Sequence, residues 1–262
     1  MENSKLERIK EKMREEEKQK LQKILNESNH IVFFGGAGVS TESGIPDFRS
    51  KNGLYNQKDV KFDAYTPEYL LSLECLAYHP DVFFEFYRQK LDTRNIKPNI
   101  THEVLAKMEN VRKLDAIVTQ NIDGLHQKAG SKNVFEIHGT TKQNYCMDCG
   151  KEYDENYIFD CNEDIPKCEC GGIVRPNVTL YGEQLPKKEV DGAIHVIKNA
   201  DCLIIGGTSL TVYPAANFIR YFTGKHLIVI NKTPLDMKLD KTDDLIILDS
   251  LGNVFSEIEK MI

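Results

Sequence analysis

Six short apolar runs recur along the chain after residue 29. Each is rich in Val and Ile and is continuous rather than alternating, which is typical of parallel strands that are covered on both faces. We therefore predict buried strands at residues 30–34, 116–119, 134–137, 202–205, 227–230 and 245–248. Segments with helical spacing of apolar residues separate most of them, at residues 101–111, 187–198 and 215–221. Strands that alternate with helices predict an α/β fold, a doubly wound parallel sheet of the Rossmann-like kind.

Two blocks interrupt this alternation. Residues 53–95 are rich in aromatic side chains and predict helices at 67–76 and 80–91, whereas residues 140–175 hold five of the seven cysteines. We interpret 53–95 as a helical insertion and 140–175 as a second module, which together form a smaller lobe beside a ligand cleft. The predicted Rossmann-like domain then comprises residues 21–52, 96–139 and 176–262.

The N-terminal part of the chain, residues 1–20, is dense in charge and contains neither Gly nor Pro. Its apolar residues recur at helical spacing and continue to Leu25, which predicts a helix that frays at its start and docks through its C-terminal half. We favour a solvated surface helix here over a helix that binds a membrane or a partner.

Composition and charge narrow the class of protein. The chain has 262 residues, a formal net charge of −6 and an ordinary 40% of hydrophobic residues. The acidic balance argues against nonspecific binding of nucleic acid, and no apolar run approaches the roughly 18 residues that span a bilayer. Because the N-terminus also lacks the apolar core of a signal peptide, we expect a cytoplasmic protein. We further expect a monomer with neither a nucleic-acid nor a membrane partner.

A glycine-rich turn follows the first predicted strand. Gly36 and Gly38 fit the G-x-G-x-x-G pattern of dinucleotide-binding turns, but Thr41 stands where the third glycine is expected. Such a turn lets backbone N–H groups approach a pyrophosphate, although a turn that merely packs tightly gives the same pattern. The sequence continues into Phe48 and Arg49, an aromatic ring and a guanidinium beside the proposed phosphate site.

Polar side chains also follow two later strands. Gln120, Asn121 and Asp123 come directly after the strand that ends at residue 119, and His138 follows the strand at 134–137. Ligands bind at the carboxyl ends of strands in open α/β sheets, and a histidine there can act as a general base. Each residue alone is more often a structural neighbour than a catalyst, so the argument rests on their arrival at one sheet edge.

Two pairs of cysteines lie in the second module. Cys146 and Cys149 form a C-x-x-C pair, and Cys168 and Cys170 form a shorter C-x-C pair. Eighteen residues lie between Cys149 and Cys168, a separation within the usual range for zinc ribbons. We predict a closed structural zinc site with these four ligands, while Cys161 could replace one of them. A redox pair is the alternative for C-x-x-C alone.

Several of these motifs together resemble the sirtuin family of NAD-dependent protein-lysine deacylases. The resemblance rests on GAGVSTESGIPDFRS (36–50), TQNIDGLHQKAG (119–130), the His-Gly pair at 138–139, the paired cysteines, GTSLTVYPAANF (207–218) and the Ile-Asn pair at 230–231. It extends from about residue 22 to residue 260 in family order, and it is closest in type to compact bacterial sirtuins.

The resemblance implies that NAD is consumed and that the products are nicotinamide, O-acyl-ADP-ribose and free lysine. It implies that His138 is the general base and that Asn121 and Asp123 orient the ribose and the nicotinamide carboxamide, with Phe48 and Ile122 as walls. Residues implied to hold the rest of the cofactor are Gly36, Ala37, Gly38, Thr41, Arg49 and Gln120 for the phosphates and ribose, and Gly207, Thr208, Ser209, Asn231, Lys232 and Leu251 for the adenosine half.

The resemblance also implies a substrate edge in the segment 175–183, where an acyl-lysine peptide adds as a strand. Its implied substrate-binding residues are Val178, Thr179, Tyr181 and Gly182, with Thr179 where the family often has Val and Tyr181 where it often has Phe. Members that prefer acidic acyl groups carry a Tyr and an Arg three residues apart; here Tyr87 is followed by Lys90, which lacks the bidentate fork of Arg. We therefore expect acetyl and similar neutral groups.

Three other functions compete with the deacylase. A mono-ADP-ribosyltransferase would use the same cofactor chemistry with a protein nucleophile. A non-catalytic NAD or nucleic-acid binding module with a zinc ribbon is disfavoured by the acidic charge and by the intact set of Asn121, Asp123 and His138. An ordinary dehydrogenase is disfavoured because no acidic residue follows a second strand at the place where it would hold the ribose.

Overall fold

The computed structural model describes residues 13–48, 50, 53–54, 61–211, 215–235 and 244–262. Arg49 and the first twelve residues of the predicted N-terminal helix lie outside these ranges. Within them, no helix combines the length and the apolar character that crossing a bilayer requires.

The strands of the described chain are β1 (Ile31–Gly35), β2 (Leu114–Thr119), β3 (Val134–Glu136), β4 (Gly139–Cys146), β5 (Glu152–Asp154), β6 (Val174–Val178), β7 (Cys202–Gly206), β8 (His226–Ile230) and β9 (Leu245–Ile247). The α-helices are α1 (Glu15–Glu27), α2 (Pro67–Leu70), α3 (Leu73–Tyr78), α4 (Pro80–Leu91), α5 (Ile100–Asn110), α6 (Leu125–Ala129), α7 (Asn156–Phe159), α8 (Lys187–Asn199) and α9 (Leu251–Glu259). Short 3₁₀ helices cover Ala37–Val39, Thr41–Ser43 and Ala215–Tyr221.

Six strands form one parallel sheet in the order β3-β2-β1-β7-β8-β9. The chain builds outward from β1 to β3 on one side and then returns to add β7 to β9 on the other side. The order therefore reverses between β1 and β7, and such a switch point is where open α/β sheets bind ligands. Gly35 of β1 pairs with Gly206 of β7 at the carboxyl ends of the two strands, so the segments that follow β1 and β7 leave the sheet side by side.

Both faces of this sheet are covered by apolar side chains. On one face Phe33 and Ile204 pack with Phe255 of α9 and Leu105 of α5, and on the other face Val32 and its neighbours pack against α8. This two-sided burial is the physical reason for the continuous Val/Ile runs. The predicted docking of α1 through its C-terminal half is confirmed, because Leu21, Ile24 and Leu25 are buried.

A second, antiparallel sheet has the order β5-β4-β6. Together with α2, α3, α4 and α7 it surrounds a separate apolar core, in which Phe83 and Phe84 are fully buried beside Cys146 and Cys168. The strand β4 begins one residue before the predicted module boundary at 140, and β6 crosses the predicted boundary at 175. One continuous strand therefore leads from the cysteine pairs toward the predicted substrate edge.

All six predicted strands of the parallel sheet are present, so the predicted α/β fold is confirmed. Two predicted helices differ in detail. Residues 67–76 form two short helices, because the Oγ of Ser72 accepts the N–H of Cys75 and starts a new helix there. Residues 215–221 are a 3₁₀ helix rather than an α-helix, a difference of winding that apolar spacing over seven residues does not encode.

Candidate active site

A cavity of about 980 Å³ lies at the switch point of the parallel sheet. Its wall includes residues that directly follow β1, β2 and β7, together with the segment after β6. This volume is at the upper end of the range for small-molecule sites. Most of the residues that the sequence predicts for cofactor and substrate line this one space: Ala37, Gly38, Thr41, Phe48, Gln120, Asn121, Ile122, His138, Val178, Thr179, Tyr181, Gly182, Gly207, Thr208, Ser209, Asn231, Lys232 and Leu251.

The glycine-rich turn forms the floor of the cavity through backbone contact. The N–H of Gly38 donates to the carbonyl of Gly207 at 2.8 Å, and a Cβ on Gly38 would lie 2.7 Å from the Gly207 Cα. Gly36 is not part of the cavity wall; a Cβ there would lie 2.8 Å from the Cβ of Thr208. Glycine is therefore required at position 36 because two turns pack tightly there. At position 38 the packing is equally tight, and Gly38 also lines the cavity.

A buried polar chain lies beside this floor. The Oγ of Ser40 donates to the Oδ2 of Asp123 at 2.7 Å and accepts from the Nδ2 of Asn121 at 3.0 Å. The N–H of Leu125 donates to Oδ1 of Asp123 at 2.9 Å. Burial raises the pKa of Asp123, and the Ser40 and Leu125 donors oppose that rise. Asn121 lines the cavity but Asp123 does not, so the carboxylate reaches the cavity wall through Ser40 and Asn121.

His138 lies on the cavity wall just after β3, with its Nδ1 2.9 Å from the carbonyl oxygen of Gln120. Since a carbonyl only accepts, Nδ1 carries the proton and Nε2 is left as the basic nitrogen. Burial lowers the pKa of His138, and the bond to Gln120 only partly opposes this. The ring is therefore neutral near pH 7, which is the state that a general base requires.

The side chain of Gln120 also bridges the two halves of the sheet. The side-chain Nε2 donates to the Oγ1 of Thr208 at 3.1 Å, and the backbone N–H of Gln120 donates to the carbonyl of Gly35. Beyond Thr208 the wall continues through Asn231 and Leu251 at the carboxyl side of β8 and β9. Polar groups thus occur at both ends of a space whose middle is lined by glycine backbone, an arrangement that fits a dinucleotide such as NAD.

Tyr87 lies elsewhere. Its ring stacks on Phe83 at 6.0 Å and on Phe159 at 5.3 Å between centroids, and only 1% of its surface is exposed. It belongs to the apolar core of the smaller lobe and is not part of the cavity wall. From the same helix α4, it is Leu91 that reaches the cavity.

Several other residues line the cavity that are not among the site residues predicted from the sequence, namely Gly44, Ile45, Pro46, Asp47, Ser50, Leu71, Leu91, Leu180, Glu183, Leu185, Thr233 and Asp249. Asp249 follows β9, so the rule that ligands bind at strand ends could have found it. Leu180 and Glu183 lie inside the segment predicted as the substrate edge. Leu71 and Leu91 carry no comparable signal, because an apolar residue of a predicted helix that faces a cavity has the same spacing as one that faces the core.

The four predicted zinc ligands converge on one point. The sulfur atoms of Cys146, Cys149, Cys168 and Cys170 all lie within 4.8 Å of one another. The Cys146–Cys170 and Cys149–Cys168 sulfur pairs are 3.5 and 3.6 Å apart, close to the ~3.8 Å edge of a tetrahedron with Zn–S bonds of about 2.3 Å.

The donor set therefore fits a closed tetrahedral zinc site. The sulfur of Cys161 instead donates to the carbonyl of Glu163, so it is not a fifth member of the cluster. The hydroxyl of Tyr153 donates to the sulfur of Cys168 at 3.0 Å, and this bond is the largest of several hydrogen bonds that lower the pKa of that thiol. Cys75 and Cys202 are fully buried in the apolar cores, as small hydrophobic residues are.

Comparison with known proteins agrees with this site. The model of the Sir2 family matches residues 36–214. Proteins named NAD-dependent protein deacetylase from Clostridium acetobutylicum and Clostridium perfringens are 55% and 56% identical to the chain, and each match covers 91% of the chain and at least 96% of the relative. A solved complex of Sir2 with a p53 peptide and NAD⁺ superposes with a TM-score of 0.79 at 34% identity, over 92% of this chain and 97% of that one.

A second solved structure, from work on sirtuin substrate affinity, has a TM-score of 0.83 at 32% identity over 95% of this chain and 99% of that one. Fold, cavity, cysteine cluster and sequence matches therefore agree on one conclusion. The chain belongs to the Sir2 family.

Proposed function

We propose that this member of the Sir2 family is an NAD-dependent protein-lysine deacetylase in which His138 is the general base. The high identity to relatives named NAD-dependent protein deacetylase supports the activity. A solved structure of Sir2 bound to acetylated peptide supports acyl-lysine peptides as the substrate class.

The observation that carries the proposal is the hydrogen bond between His138 and the carbonyl of Gln120. It fixes the tautomer, so that Nε2 accepts a proton on a side chain that lines the cavity. When bound, NAD supplies the electrophilic C1′ carbon and nicotinamide as its leaving group. The Nε2 of His138 then takes the proton of a ribose hydroxyl, which must become nucleophilic for the acyl group to leave lysine.

The remaining cavity residues hold and orient in this proposal. Asn121, supported by Ser40 and Asp123, orients the nicotinamide end, and Phe48 and Ile122 exclude water from it. The backbone around Gly38 holds the pyrophosphate. Further contacts to phosphates and ribose come from Ala37, Thr41 and Gln120, and contacts to the adenosine half come from Gly207, Thr208, Ser209, Asn231, Lys232 and Leu251.

The four-cysteine site has a structural role in this proposal. Zinc with four thiolates has no open position for a water or a substrate, so it holds the β4–β6 sheet together rather than taking part in the reaction. The distance in the chain between the two cysteine pairs means that the metal closes a long loop, which stabilises a small lobe efficiently.

The peptide binds along the end of β6 and the segment that follows it, through Val178, Thr179 and Gly182. Tyr181 contributes its side chain, because its N–H donates to Leu71 and its carbonyl accepts from Leu73, both at 3.0 Å. The stacked, buried position of Tyr87 supports a preference for acetyl over acidic acyl groups, since its hydroxyl is turned into the lobe core. We further propose a cytoplasmic monomer; the thiolate cluster suits a reducing compartment.

One assay tests the proposed function. The zinc-loaded protein is incubated with NAD and an acetyl-lysine peptide, and the products are followed by mass spectrometry. We expect nicotinamide release that depends on the peptide, together with O-acetyl-ADP-ribose, and a loss of at least about 100-fold in His138→Ala. ADP-ribose attached to protein without any peptide would replace the deacetylase by a mono-ADP-ribosyltransferase.

A further inference from the structure

The segment Val178–Glu183 forms one wall of the cavity, yet little of it belongs to a sheet. The strand β6 ends at Val178, and the N–H of Thr179 donates to the carbonyl of His138 at 2.8 Å. Tyr181 is held by the segment at Leu71. The conformation of the parts between these two attachments must come from other contacts.

An ion pair between Arg175 of β6 and Glu183, the last residue of the segment, supplies those contacts. Arg175 is 4% exposed and donates to both carboxylate oxygens of Glu183, with N–O distances of 2.6 and 2.9 Å. Its Nη2 also donates to the carbonyl of Val178 at 2.9 Å, and its Nε donates to the carbonyl of Pro176 at 3.3 Å. The carboxylate of Glu183 in turn accepts the N–H of Leu180 at 2.8 Å. One pair of side chains thus holds backbone groups of β6, at Pro176 and Val178, and of the following segment, at Leu180.

The guanidinium of Arg175 is suited to holding a carboxylate and a backbone carbonyl at the same time. A guanidinium presents its donors in a rigid fork, so it can hold a carboxylate bidentately and still reach a carbonyl. The Arg175 guanidinium also lies over the ring of Tyr145 in β4, with its central carbon 5.7 Å from the ring centroid. The Arg175–Glu183 pair, hereafter the clamp, is therefore anchored in the β4–β6 sheet and contacts the backbone of the cavity wall.

We propose that the Arg175–Glu183 pair positions the substrate edge, so that it controls the binding of the residues that flank acyl-lysine and leaves NAD binding unaffected. The proposal rests on the proposed deacetylase function. Neither side chain needs to touch the reacting atoms; both are positioning residues that act through the backbone of Val178 and Leu180.

The geometry separates this role from simple stabilisation of the lobe. A buried ion pair that only stabilised the fold would, when broken, weaken every activity of the protein alike. A clamp on the substrate edge instead weakens only those substrates that pair with the edge. A peptide with several flanking residues pairs with it, whereas a single acetyl-lysine residue without neighbours has almost no main chain to pair.

The experiment compares these two substrates in Glu183→Gln, Arg175→Lys and the control Asp160→Asn. Glu183→Gln keeps an oxygen for the Leu180 N–H but loses the charge, and Arg175→Lys keeps the charge but loses the fork. Asp160→Asn removes a 2.6 Å ion pair with Arg94 in the same lobe that does not reach the edge. The thermal midpoint and the zinc content of each variant establish that it is folded.

For the peptide we expect kcat/KM to fall about 10- to 100-fold in both clamp variants, as loss of one charged hydrogen bond implies, mainly through a higher peptide KM. The KM for NAD and the activity on single acetyl-lysine should stay within about twofold of the parent protein, and Asp160→Asn should match the parent on both substrates. Equal losses on peptide and single residue, or a raised KM for NAD, would overturn the clamp. If Glu183→Gln does not fold, the same two ratios in Arg175→Lys decide. A parent protein inactive on both substrates would refute the proposed function itself.

Discussion

Replacing Ser40 by Ala removes one hydroxyl that joins Asn121 to Asp123. The hydroxyl donates to the carboxylate at 2.7 Å and accepts from the amide at 3.0 Å, and all three side chains are buried. Asp123 keeps one other donor, the N–H of Leu125 at 2.9 Å. The change therefore removes half of the hydrogen bonds seen on a buried carboxylate and leaves the cavity wall otherwise intact.

The expected effect follows from these contacts. A hydrogen bond to a charged group contributes about 1.5–3 kcal/mol, so loss of the Ser40 donor should lower the free energy of unfolding by about that amount. Because Asn121 loses its support, we expect kcat/KM to fall by about 100-fold, the loss that a misplacement of about 1 Å can cause. Burial already raises the pKa of Asp123, and loss of the Ser40 donor raises it further.

The pH dependence gives the sharper test. If the reaction needs ionised Asp123, activity is lost as the pH falls through its pKa, so in Ser40→Ala the acidic limb of kcat against pH should move to higher pH. Ser43→Ala is the matched control, because the hydroxyl of Ser43 lies in the same turn but accepts from Asn99 at 2.9 Å. An acidic limb at the same pH as in Ser43→Ala, with similar kcat/KM, would refute the role of Ser40.

Three further predictions concern stability and metal binding. Burial raises the pKa of Glu136 to about 7, so the stability contributed by the protonated carboxyl group is fully present below the unfolded pKa of 4.5 and is lost as the pH rises through 7. Relative to Glu136→Gln, the parent protein should lose on the order of 3 kcal/mol of unfolding free energy between pH 4 and pH 8.5, measured by urea denaturation. Parallel curves of unfolding free energy against pH for the two proteins would exclude this. Tyr153→Phe removes the donor to Cys168 and should weaken zinc binding about 10- to 100-fold in a chelator competition, whereas unchanged affinity would mean that this bond does not favour the thiolate. In Gly38→Ala the new methyl group meets Gly207 at 2.7 Å, which should cost about 1–3 kcal/mol of stability and raise the KM for NAD; a variant as stable as the parent would show that the two turns can separate.

Strand pattern was the part of the fold that the sequence specified best. Each run such as 202–205 is apolar throughout because β7 is covered on both faces, and a strand with one solvated face would have alternated. The position of the cavity followed from the same logic, since residues such as Asn121 and His138 come directly after strands. The four cysteines were equally predictable, because a tetrahedral thiolate site constrains spacing in the chain as well as in space.

Tyr87 shows why the rest could not be obtained in this way. The helix α4 is amphipathic, and its apolar spacing correctly predicts a buried face, but burial in the lobe core and exposure to a cavity give the same spacing. Tyr87 stacks between two aromatic rings of the core, while Leu91, one turn later on a similar face, reaches the cavity. Only the packing of α4 against α2, α3 and α7 decides between these outcomes. Contacts between elements that are distant in the chain therefore determine which α4 side chains reach the cavity, whereas the residues predicted to hold the cofactor and zinc lie in motifs that are continuous enough to be recognised from the chain itself.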